Sequence, residues 1–86
     1  MKTFDELKAL LTQELLDLER LAGIWPTTVE KRRVKEQQIG RYCFLAEEDL
    51  SSLELQTLKQ ELGINDFRWR AYKAKLLKGS SPEGLT

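Results

Sequence analysis

Ser51-Ser52-Leu53-Glu54-Leu55-Gln56-Thr57-Leu58-Lys59-Gln60-Glu61-Leu62-Gly63-Ile64 holds a full set of helix signals in one short stretch. The Ser51 hydroxyl can accept a free first-turn N–H while Glu54 reaches back to the cap, which is a capping box. Leu50, just ahead, is placed to staple onto Leu55. Leu55, Leu58 and Leu62 then recur at the spacing of one buried helical stripe. Gly63 followed by Ile64 predicts a left-handed stop, since glycine takes positive φ without a steric penalty. A helix over 52–62 follows.

The same grammar repeats upstream. Thr3-Phe4-Asp5-Glu6 is a capping box, and Phe4, Leu7, Leu10, Leu11, Leu15, Leu18, Leu21 and Ala22 fall on one face. That stripe is ~140° wide at 100° per residue. Leu16 lies on the opposite face, and Gly23-Ile24 predicts a left-handed ending. After Trp25-Pro26, Thr27-Thr28-Val29-Glu30 opens a second helix. Its first half, Glu30 to Gln38, has Val34 as its single apolar residue and is expected to be exposed. Its second half gains a stripe of Ile39, Tyr42, Cys43 and Ala46, with Gly40 a place for a kink. Asn65 or Asp66 caps a fourth helix whose inner face is Trp69, Tyr72 and Leu76.

Sixteen leucines against five valines and isoleucines favour helix over strand, and no segment alternates with period two. The expected fold is all-α, a small bundle of four to five short helices. Residues 1–79 read as a single helical domain and 80–86 as a flexible, frayed tail.

Composition narrows the function. Apolar residues make up 41% of the 86-residue chain, which argues against wholesale disorder, and charged residues 33%, above the usual ~25%. There is no histidine and a single cysteine, Cys43. A disulfide framework, a zinc-finger site and a cysteine–histidine nucleophile within one subunit are therefore excluded. The glycines form no phosphate-binding loop. Glu47-Glu48-Asp49 reads as a solvated helix boundary rather than a cation site, and Asp5, Glu14 and Asp17 converge on no evident pocket. No enzymatic activity, cofactor or metal is expected. No apolar run is long enough for a membrane span, the N-terminus turns acidic at once, and the lone thiol suits a reducing compartment. The expectation is a cytoplasmic protein with no membrane contact.

Fourteen basic residues balance fourteen acidic ones, but not evenly along the chain. Residues 1–22 carry −2, 27–46 carry +3, 47–62 carry −4 and 64–79 carry +4. One outcome is that acidic and basic helices neutralise each other through weak surface ion pairs. The other is that helices 2 and 4 converge into a basic, aromatic face. That face would comprise Arg32, Arg33, Lys35, Phe67, Arg68, Arg70 and Lys73, and would attract an acidic protein or nucleic acid.

Two resemblances bear on the second half of the chain. Residues 57–73, with Leu58, Leu62, Gly63, Ile64, Trp69 and Tyr72 at core and turn spacing, resemble a DNA-binding helix-turn-helix. That resemblance implies a recognition helix over 65–78, with Asn65, Arg68, Arg70 and Lys73 reaching bases and phosphates. Lys59 stands where a small residue is usual, and Trp69 is bulky for its place. The same Leu62-Gly63-Ile64 corner before a final helix is also similar to the end of a sterile alpha motif domain. This resemblance implies a protein-interaction module that can self-associate. The first half of the chain does not follow that pattern. The reading taken forward is a small non-enzymatic helical binding module, such as an adaptor, inhibitor or assembly and regulatory factor. Its expected partner is a larger protein or a second copy, with a helix-turn-helix-like DNA-binding regulator as the alternative.

Overall fold

Four helices account for the described part of the chain: α1 (Phe4–Gly23), α2 (Val29–Asp49), α3 (Ser52–Leu62) and α4 (Asp66–Ser80). The computed structural model describes residues 2–23 and 29–80, with side chains placed as far as Leu77. The fold is all-α, with no strand among the described residues.

Each visible helix start follows the cap written for it. The Thr3 N–H donates to Glu6 Oε1 at 2.9 Å and the Glu6 N–H to Thr3 Oγ1 at 3.2 Å. Ser51 and Glu54 make the same reciprocal pair. For α4 the choice falls on Asn65, whose Oδ1 accepts the Arg68 N–H at 2.8 Å. Gly63 sits at φ 70°, where its own N–H and that of Ile64 satisfy the last carbonyls of α3. Gly23 departs from expectation. It is the last helical residue of α1 and does not take positive φ. The expected Gly23-Ile24 ending and the Thr27 cap otherwise lie outside the described residues, as do residues 81–86 of the expected tail, whose first residue, Ser80, is instead the last of α4.

α2 is the central element, packed along α4 most extensively and along α1 next, while α3 lies chiefly against α1. The core draws on every helix and on the α3–α4 corner: Leu7 and Leu11, Ile39, Cys43 and Ala46, Leu58, Ile64, and Trp69 and Tyr72. Phe4, Leu15, Leu18, Leu50, Leu55 and Leu62 pack around it. α2 divides as its sequence predicts, exposed over 29–34 and buried at Ile39, Gly40, Cys43 and Ala46. Burial on α1 is greatest in its first half, and Ala22 at its end is exposed.

Gly40 sets the distance between α2 and α4. A Cβ added there would stand 2.3 Å from the Tyr72 carbonyl oxygen and 3.1 Å from Leu76 Cβ. The first of these is backbone and cannot rotate away. Gly40→Ala is therefore expected to destabilise the fold by at least about 3 kcal/mol, although alanine is the better helix former by about 1 kcal/mol. Gly23→Ala, where nothing lies within 4 Å, serves as the control and is expected to be neutral or slightly stabilising. Urea denaturation followed by circular dichroism measures both. Equal midpoints for the two variants would contradict the close approach.

Candidate functional site

At 100° per residue α4 turns four different faces to its surroundings, and this rotation decides what becomes of each expected site residue. Trp69 and Tyr72 point into the core. Arg68 flanks them on the side of the α2 N-terminal half, and Lys73 flanks them on the side of Glu47. Arg70 and Phe67 face outward and are exposed. The seven residues expected to share one face are thus divided.

Lys35 turns away from α4 altogether. Its ammonium lies 2.9 Å from Glu14 Oε1 and 3.4 Å from Asp17 Oδ2 on α1, and is partly buried there. The hydrogen bond to Glu14, opposed by partial burial and reinforced by the charges of Glu14 and Asp17, raises its pKa above the ordinary lysine value. Arg33 pairs with Glu30 at 2.6 Å along the exposed start of α2. Lys73 pairs with Glu47 at 2.7 Å and lies over the Phe44 ring at 4.9 Å. The neutralising outcome therefore holds for Arg33, Lys35 and Lys73.

Arg32 and Arg68 remain together. Arg32 from α2 and Arg68 from α4 line one groove of about 430 Å³ whose apolar wall includes Leu15, Leu18, Leu62 and Ile64. The Arg68 guanidinium donates to the Tyr72 hydroxyl at 3.0 Å and lies 5.8 Å from the ring centre, so a mostly buried tyrosine orients it. Neither arginine has a carboxylate partner among the described residues. Glu36 at the same rim is bound to Lys75 at 3.0 Å, and Glu19 stands on the α1 side. The groove thus carries Arg32 and Arg68 on its α2 and α4 sides, Glu19 on its α1 side, and apolar side chains between. Two guanidiniums over an apolar floor can hold a carboxylate attached to an aliphatic group. Sequence reasoning missed Lys75 and the part played by Tyr72. The Arg68–Tyr72 spacing of four residues was the available signal.

The acidic residues take structural places. Glu47 accepts the Trp69 Nε1–H at 2.8 Å as well as the Lys73 ammonium, and Asp49 accepts the Lys2 N–H at 2.9 Å. Burial works to raise the Glu47 carboxyl, but the bonds from Lys73 and Trp69 and the charges of Lys73 and Lys59 hold it below the usual value. Its contribution to stability is thus present at neutral pH and is lost as pH falls below about 4.5. No group of residues among those described is arranged to hold a metal ion. No described helix is long and apolar enough to cross a membrane.

The chain is thus a small all-α bundle with a groove, bounded by α1 and the α3–α4 corner, that Arg32 of α2 and Arg68 of α4 flank. Comparison with protein-family models, with curated proteins and with solved structures finds no match.

Cys43 is fully buried. Burial first, and then the Glu47 charge, pushes its thiol from an ordinary 9.0 up to about 12. Because the folded chain keeps that proton, the thiol's contribution to stability is complete below pH 9 and declines as pH rises towards 12. Iodoacetamide at mildly alkaline pH is expected to spare Cys43 in the native protein and to modify it fully in urea, as read by intact mass. Equal labelling in both states would contradict the burial.

Proposed function

We propose that the chain is a non-enzymatic binding module that docks on a larger protein through the groove flanked by Arg32 of α2 and Arg68 of α4, in the manner of an adaptor, inhibitor or assembly factor. The observation that carries this reading is that Arg32 and Arg68 line one groove with Leu15, Leu18, Leu62 and Ile64. Arg33, Lys35, Lys73 and Lys75 are engaged by carboxylates of the chain itself, and these two are not. An arginine held by an aromatic neighbour loses little conformational freedom on binding, and arginine and tyrosine are favoured interface anchors. The lone buried thiol supports a reducing compartment, and we assign the cytoplasm.

The α3–Gly63–α4 corner, with its left-handed glycine, supports DNA binding as the second reading. Against it, Lys73 is paired with Glu47 and Lys75 with Glu36, which leaves α4 fewer cations for phosphates.

Arg32→Glu combined with Arg68→Glu is expected to leave stability within about 1 kcal/mol, because both side chains are at the surface. The double variant is expected to lose at least tenfold of the proteins that tagged chain retains from native lysate, quantified side by side by mass spectrometry. An unchanged retained set would overturn the groove reading. Retardation of random duplex DNA at low salt, weakening steeply with added salt, would favour the second reading instead.

A further inference from the structure

α4 is apolar on two sides. Its inner side is spent on Trp69 and Tyr72 in the core, which leaves an outward stripe of Phe67, Arg70, Ala74 and Leu77. These four follow one another at intervals of three, four and three residues, the spacing with which one helix lies along another. They fall within an arc of roughly 80° and span about 15 Å of helix. Phe67 is 74% exposed and Leu77 59%. Leu53 is also exposed but stands alone on its helix face, as surface leucines commonly do, and Leu16 lies beside Leu15 and Leu62 at a small surface pocket.

The charge at the centre of the stripe says what fits it. Arg68, Lys73 and Lys75 on this helix, and Lys59 beside it, each have a hydrogen-bond or ion-pair partner within the chain. Arg70 has none among the described residues, and it projects between Phe67 and Ala74 along an otherwise apolar seam. A second copy of the same face is disfavoured, because it would bring the Arg70 guanidinium of each copy to one seam with no carboxylate on the stripe to receive either.

We propose that the outward face of α4 docks an acidic amphipathic helix of a partner protein. Apolar side chains of that helix lie along Phe67, Ala74 and Leu77, and one aspartate or glutamate receives the Arg70 guanidinium in a two-point contact. Aromatic side chains and arginine are enriched at protein interfaces, and arginine is among the residues on which affinity concentrates. This surface is independent of the groove, which lies on the flank of α4 occupied by Arg68. With both in use, the module bridges two proteins.

The test uses the full chain and fluorescein-labelled helical peptides of about two heptads, with leucines at three- and four-residue spacing. One peptide carries flanking glutamates and the other carries lysines at the same positions. The glutamate peptide is expected to bind in anisotropy titrations and the lysine peptide at least tenfold more weakly. Phe67→Ser with Leu77→Ser is expected to reduce glutamate-peptide binding at least tenfold. Arg70→Glu is expected to reverse the preference between the two peptides. Circular dichroism is expected to show each variant folded, since all three side chains are exposed. Arg32→Gln with Arg68→Gln is expected to shift the affinity for the glutamate peptide less than threefold, and a tenfold loss there would place the peptide in the groove and overturn the proposal. Equal affinity for both peptides, or no response to the Phe67 and Leu77 changes, would also overturn it. So would light scattering that shows a dimer abolished by Phe67→Ser with Leu77→Ser, because the face would then belong to a second copy.

Discussion

The backbone contact at Gly40 is the constraint on which the rest of the arrangement depends. A side chain there would meet the carbonyl of Tyr72, so the absence of a Cβ lets α2 and α4 lie close together. That closeness buries Ile39 and Cys43 from one helix with Trp69 and Tyr72 from the other. It also brings the arginine-rich start of α2 within reach of the Arg68 and Lys75 flank of α4. Moving the two helices apart would open the core and dissolve the groove together, which makes stability and candidate site properties of one contact.

Electrostatics then sorts the cations by what each helix faces. α1 presents Glu14 and Asp17 to α2 and takes Lys35. The end of α2 presents Glu47 to α4 and takes Lys73, while Glu36 takes Lys75. Exposed pairs of this kind are worth only about 0–1 kcal/mol each, so their larger consequence is negative: they remove charges from the surface. Among the described residues, Arg32 and Arg68 on one flank of α4, Arg70 on its outward side and Arg41 on α2 keep no carboxylate partner. A chain with zero formal net charge thereby keeps local cationic places without becoming generally adhesive.

Much of the fold was legible in the residues because helix ends are decided locally. Thr3 with Glu6, Ser51 with Glu54, and Gly63 with Ile64 act within three or four positions, and the helices start and stop accordingly. The buried stripes followed for the same reason, since Leu7 and Leu11, or Trp69 and Tyr72, share a face by period alone. Gly40 was legible as an exceptional position but not as a close approach, because its partner lies 32 residues further on. The candidate site was only partly readable. Arg32 and Arg68 were expected together and are together. Lys35, Lys73 and Arg70 were expected beside them and point in three other directions.

By itself, then, the sequence determined where helices form, which face of each is apolar, and that catalysis resting on histidine, paired cysteines or phosphate-binding loops has no residues to use. The tertiary structure alone decided which charged side chains are neutralised and which stay available. The reason is rotational. An ion pair such as Lys35–Glu14 or Lys73–Glu47 joins residues 21 or 26 positions apart. It forms only after packing has fixed how far each helix is turned about its own axis, and a turn of 100° per residue carries adjacent cations to different neighbours.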